Sequence, residues 1–249
     1  MKFKVNSLDD LKKNGPHFNV VLLCGHTGSG KTYIMNRIKK ENDDDDDDRN
    51  NICINICQQV TTRPIRSDEE IENNVYEFLH KDIYNYLNYN NKLTARTNFN
   101  HNLYGTKIDT ILPSNKDIMN INIITASAEA IDDFLDNYEE FIDTGIIIPI
   151  VVEVRNDKVP ETLLKERNRD MEFVEKEKKS FINYNRLIIN NKNFDRYYYL
   201  INILYTFFDE ISNKKNISYH PKSFYDYGIS LEKVEERTLV YVKGGDTEI

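Results

Sequence analysis

Eight consecutive residues carry the sharpest chemical signal in this 249-residue chain, GHTGSGKT at Gly25–Thr32. The spacing G-x-x-x-x-G-K-T is that of a phosphate-binding loop. Gly28 and Gly30 permit backbone angles that aim several amide N–H groups at one anion, and Gly25, His26, Thr27 and Ser29 complete the cradle. Lys31 has the reach for β- and γ-phosphates, and the Thr32 hydroxyl is a ligand for Mg²⁺. Such a loop needs a strand to deliver it and a helix to receive it, because the helix N-terminus adds positive potential. Both flanks qualify. NVVLLC at Asn19–Cys24 reads as a strand buried on both faces, and TYIMNRIKK places Ile34 and Ile38 four residues apart on one helical face. A nucleoside triphosphate with Mg²⁺ is the implied ligand.

A second cationic feature follows at TTRPIR, Thr61–Arg66. It sets Arg63 and Arg66 three residues apart around Pro64, whose ring biases Arg63 towards extended geometry. A stiff pair of guanidinium groups suits bidentate phosphate binding, although on spacing alone a surface salt-bridge face is the commoner use.

The rest of the chain supplies the frame. NICINI at Asn51–Ile56 reads as a second strand, INIIT at Ile121–Thr125 precedes a helix over Glu129–Tyr138, and PIVVEV at Pro149–Val154 is a third buried strand opening on its proline. A charged helical stretch from Pro160 to about Asn183 has few apolar anchors and reads as a solvated, mobile helical pair. RLIIN is a last short strand, and FDRYYYLINILYTFFDEI a strongly apolar closing helix. Between Val60 and Thr106 the pattern is irregular, with strand-like VYEF and KLTART and a helix at KDIYNYLNY. Alternating strands and helices predict an α/β fold: three layers, α/β/α, around a parallel central sheet, with the irregular segment as an inserted lobe.

Composition narrows the class. A net charge of −8 disfavours blanket coating of nucleic acid or anionic membrane, so no nucleic-acid or membrane partner is expected. No stretch approaches the ~18 apolar residues of a membrane span and no secretory leader is evident. Cys24, Cys53 and Cys57 cannot pair evenly and sit in apolar runs, as buried reduced cysteines of a cytoplasmic protein would. The six aspartates at Asp43–Asp48 repel one another and read as a solvated insertion.

Taken together, these motifs resemble the guanylate kinase family, in order and over about Val20 to Phe208. In that family T-T-R-x-x-R follows the second strand and grips the acceptor phosphate, here Thr61, Thr62, Arg63 and Arg66. VYEF supplies Tyr76 at the position of a phosphate-binding tyrosine, and FNHNLYGT at Phe99–Thr106 is similar to F-x-G-N-x-Y-G-[ST], giving Tyr104 and Thr106. The resemblance implies a guanylate kinase-like domain over 1–212, with a nucleoside monophosphate lobe at about 60–106 and a lid at about 156–185, followed by an extension at 213–249 with no assigned role. It implies ATP and Mg²⁺ as cofactors, Lys31, Arg63 and the lid arginines Arg167 and Arg169 as catalytic groups, and a nucleoside monophosphate as substrate.

The likeness thins at the base. The family reads guanine with a carboxylate before F-x-G-N-x-Y-G and with an L-D-x-D pattern at the end of the next core strand; here those positions are Ala95, Thr125 and Ser127. Gln59 stands where the family has a serine, and His101 where it has a glycine. Guanine specificity therefore does not carry over on these residues, and Gln59, Thr125 or Ser127 is expected to read another base, since amides and hydroxyls both donate and accept. On the resemblance alone, GMP or dGMP is the first expectation and another monophosphate the next. Two alternatives stay open: a binding module that lost catalysis, and a P-loop ATPase or kinase with a different acceptor.

Overall fold

The computed structural model describes residues 17–44, 52–66, 76–114, 118–156, 159–167, 169–184, 186–190, 204 and 239–242. Their fold is set by β1 (Phe18–Cys24), which pairs in parallel with β7 (Met119–Thr125) on one side and β8 (Ile147–Arg155) on the other. Further out, β2 (Ile52–Ile56) joins β7 and β9 (Arg186–Asn190) joins β8, both parallel. The order is β10-β9-β8-β1-β7-β2. Five parallel strands thus form the α/β core expected from the sequence, and β10 (Leu239–Val242) adds an antiparallel edge.

Side-chain alternation along β1 shows why the sheet needs two covering layers. Val21 and Leu23 pack with Ile34, Met35 and Ile38 of α1 (Lys31–Asp44), so the pair read from sequence does face the core. Val20, Leu22 and Cys24 pack on the opposite face with Ile131, Phe134 and Leu135 of α3 (Ala128–Asn137). No helix among the described residues is long and apolar enough to cross a membrane.

The inserted lobe is a second sheet in the order β4-β3-β6-β5, made of β3 (Gln59–Thr61), β4 (Tyr76–Phe78), β5 (Leu93–Phe99) and β6 (Asn102–Lys107). Helix α2 (Lys81–Tyr89) covers it, burying Tyr84 against Val60 and Leu93, and the Tyr84 hydroxyl donates to the Tyr104 carbonyl at 2.8 Å.

Several local expectations are corrected. The helix read over Glu129–Tyr138 is α3, shifted by one residue, and a short helix that was not expected, α4 (Glu139–Asp143), follows it. Pro149 is the third residue of β8; its pairing with β9 begins only at Val151, so no ladder bond is forfeited on that side. Cys53 is exposed, since β2 is a sheet edge, while Cys24 and Cys57 are buried free thiols, with burial pushing Cys57 up to about 12. Helix α1 runs into the acidic tract as far as Asp44; the remaining aspartates and, but for Leu204, the closing helix lie outside the described residues. The charged stretch does form two short helices, α5 (Glu161–Glu166) and α6 (Met171–Ser180), each anchored by one buried side chain, Leu164 and Val174.

Candidate active site

Because β1, β7 and β8 run parallel, their C-terminal ends open on one edge of the sheet, the place where open α/β sheets form binding crevices. The phosphate loop leaves β1 there. A Cβ at Gly25 would run into the Val154 carbonyl oxygen of β8, so only glycine lets the loop turn this close to the sheet. Gly28 has φ +77°, and a Cβ there would meet Val159 and Leu163 from above.

The loop is held from behind. The backbone N–H of Asn156 donates to His26 Nε2 at 3.3 Å, which leaves Nδ1 to carry the proton and donate to the Thr27 carbonyl at 2.9 Å. Burial lowers the His26 pKa, in keeping with this neutral tautomer. Asn156 Nδ2 also donates to the Gly28 carbonyl at 3.3 Å.

Lys31 Nζ donates to the Gly25 carbonyl and, at 3.2 Å, to that of His26. Burial pushes its ammonium from 10.5 down to about 8, with Glu177 pulling the other way. A lysine lowered in the folded state penalises folding wherever it is charged. The penalty is therefore full below about pH 8 and relieved as pH rises towards 10.5. An oligophosphate beside Lys31 would restore its charge partner, so binding should take up protons between those values, and ATP affinity should fall as pH rises from 7 to 9.5. Calorimetry in two buffers of different ionisation enthalpy measures the uptake; a pH-independent affinity would contradict it.

Two cavities adjoin at this edge. One, of about 360 Å³, is lined by Gly28, Ser29, Gly30, Lys31 and Thr32 of the loop and by Arg63, Arg66, Arg167 and Arg169. Five cations thus surround it, and no carboxylate does among the described residues. Ser29 Oγ and Asn36 Oδ1 are buried nearby with no partner. This donor set fits an oligophosphate, and the Thr32 hydroxyl with Asn36 Oδ1 offers the oxygen ligands that Mg²⁺ takes. The other cavity, of about 310 Å³, has an aromatic and small-residue lining that includes Phe99, Phe173, Phe181 and Ala95. Lys31, Tyr76, Tyr104 and Arg169 belong to both walls and mark where the two meet.

The structure therefore brings most of the sequence-derived residues together. Arg63 is buried, its guanidinium 5.2 Å from the Tyr76 ring centroid and 5.1 Å from that of Phe78, with NH1 donating to the Pro64 carbonyl at 3.0 Å. Arg66 and Arg167 reach the phosphate cavity from exposed positions. Arg169 lies between Phe99 and Phe173, 4.5 and 4.3 Å from their ring centroids, and donates to the Thr27 hydroxyl.

Four of the expected residues sit differently. Gln59 and Thr125 line the apolar cavity but satisfy each other: the Thr125 hydroxyl donates to Gln59 Oε1, and Gln59 Nε2 donates to the Thr125 carbonyl. The Ser127 hydroxyl caps α3, accepting from Ala130 N–H at 3.3 Å. Thr106 lies fully buried in the small sheet, opposite Gln59 and Thr94, and lines neither cavity.

Other residues at the site carry no motif. Glu177 of α6 accepts from the Thr27 N–H at 2.7 Å and pairs with Arg169 at 3.3 Å, tying the helical pair to the loop. Asn156, Glu177, Thr97 and Glu129 reach the site through tertiary packing, and only the charge of α6 hinted at one of them.

No protein-family model matches the chain, and no curated protein does. Solved structures do match. One is the guanylate kinase from Anaplasma phagocytophilum, which aligns with a TM-score of 0.50 at 19% identity over 78% of this chain and 87% of that one. The likeness establishes the fold, a guanylate kinase-like α/β architecture.

Proposed function

We propose that this chain is a nucleoside monophosphate kinase, moving the γ-phosphoryl of ATP to a nucleoside monophosphate, with GMP or dGMP as the leading acceptor. The observation that carries the reading is the pair of adjoining cavities, one cationic and one aromatic, sharing Lys31, Tyr76, Tyr104 and Arg169 as a common wall. A cationic chamber alone suits any oligophosphate. A second chamber opening onto it gives a phosphorylated acceptor a place with its own phosphate at the junction. The guanylate kinase-like fold supports the same reading.

In-line phosphoryl transfer asks a protein chiefly for positioning and charge. Lys31 and the amides of Gly28–Thr32 hold the donor phosphates. Arg63, stiffened by its two aromatic neighbours, and Arg66 hold the acceptor phosphate. Arg167 and Arg169 approach the junction from the helical pair and neutralise charge that spreads over the transferring group. The Thr32 hydroxyl would hold Mg²⁺, which would supply neutralisation of phosphate charge.

Arg63→Ala separates the two chambers experimentally. Losing a charge-assisted hydrogen bond should raise the acceptor KM by about 10- to 100-fold while the ATP KM stays within about threefold. Steady-state kinetics with each substrate varied in turn is the check. A rise confined to the ATP KM would place Arg63 on the donor instead, and equal rises in both would contradict its assignment to one chamber.

A further inference from the structure

The residues expected to read the base have little left to offer it. Gln59 and Thr125 close a ring of hydrogen bonds between themselves, and one lone pair of the Ser127 hydroxyl is held by the helix cap. The carboxylate position filled by Ala95 is empty of any polar group. Two carboxylates nevertheless line the apolar cavity, and one of them, Glu177, is already taken by the Thr27 N–H and Arg169. Glu129, in the first turn of α3, lines it together with Thr97 of β5. The Thr97 hydroxyl donates to Glu129 Oε2 at 2.8 Å, which fixes the carboxylate across the cavity wall. Oε1 has no hydrogen-bond partner among the described residues. Around them stand Ala95, Ala126, Ala128 and Ala130, short side chains that leave room for a ring.

We propose that Glu129, oriented by Thr97, is the base-reading residue of the acceptor cavity and selects a nucleobase that presents two adjacent N–H donors. The inference rests on the kinase reading for the identity of the cavity. A carboxylate only accepts. Adenine and cytosine each set one amine beside an unprotonated ring nitrogen, whose lone pair would face the carboxylate. Uracil sets its single N–H between two carbonyls. Guanine alone among the common bases offers a ring N–H beside an exocyclic amine. Glu129 takes over, from the first turn of α3, a task that the residue at position 95 cannot perform.

The test combines binding and turnover. GMP, IMP and AMP are titrated calorimetrically into wild type, Glu129→Gln and Thr97→Val without ATP, and the same acceptors are assayed with Mg·ATP. Glu129→Gln should lower the GMP kcat/KM by about 10- to 100-fold, chiefly through KM, and leave AMP within about twofold. IMP, lacking the exocyclic amine, should bind wild type more weakly than GMP and bind Glu129→Gln about equally. Thr97→Val should reproduce part of the loss. A carboxylate serving only the α3 dipole would leave the GMP:AMP ratio unmoved, and that result, or a wild-type preference for AMP, overturns the proposal. If GMP binds wild type in a Glu129-dependent way without being phosphorylated, the kinase reading falls and the assignment of Glu129 stands. If transfer to GMP is robust yet indifferent to Glu129→Gln, the reverse holds. Failure of every monophosphate to bind removes both.

Discussion

Lys31→Met should lower phosphoryl transfer by about 10³-fold while leaving the ligand-free protein at least as stable as wild type. The rate loss follows from position: Lys31 is the one cation that belongs to the loop itself and lines both chambers. Removing a preorganised charge from a developing oxyanion costs about two to three orders of magnitude. The stability claim follows from burial. With its ammonium pushed down to about 8, Lys31 is buried at a cost, and its hydrogen bonds to the Gly25 and His26 carbonyls offset only part of it. Methionine keeps the length of the side chain without the charge. Stopped-flow or coupled kinetics gives the first number and thermal unfolding the second. A variant that is both inactive and several degrees less stable would mean that Lys31 holds the loop together rather than serving the phosphates.

A second large effect is expected at a residue that belongs to no motif. Glu153 of β8 is fully buried and takes Arg186 at 2.6 Å and Arg155 at 2.7 Å. Arg186 is fully buried as well, and also donates to the Tyr184 carbonyl at 3.2 Å. Glu153→Ala leaves that guanidinium without its counter-charge, which should cost about 3–5 kcal/mol. For a chain of this size, each kcal/mol corresponds to about 2–4 °C in melting temperature. The double replacement Glu153→Leu with Arg186→Met should recover much of the loss, because well-packed apolar side chains often replace a buried pair without penalty. Chemical denaturation of the three variants decides it. A loss below about 1 kcal/mol for Glu153→Ala would show that water reaches Arg186.

What could be read from the sequence was what is local in the chain. The loop at Gly25–Thr32 is contiguous, and its flanking strand and helix carry their own periodicity, so both the motif and its setting were legible. Arg63 and Arg66 were legible because Pro64 stiffens a short stretch. Glu177 was not. It meets Thr27 across 150 positions, and α6 shows only a charged surface pattern until Val174 anchors it. Glu129 was invisible for the same reason: it looks like an ordinary acidic residue in a first helical turn, and only the approach of Thr97 gives it a partner. Gln59 and Thr125 were legible as polar candidates for the site, but not as a pair that satisfies itself. Strand β10 was missed as part of the core sheet because four residues at an edge take their identity from β9 and not from their own pattern.

The central claim, transfer from ATP to a nucleoside monophosphate, is tested most directly by ATP turnover with Mg²⁺ against a panel of ribo- and deoxyribonucleoside monophosphates, with Lys31→Met as the blank. The account predicts that a monophosphate, with GMP or dGMP first, stimulates turnover in wild type, that the matching diphosphate appears, and that the blank stays flat. ATP that binds and protects the fold while no monophosphate accelerates its consumption would contradict it.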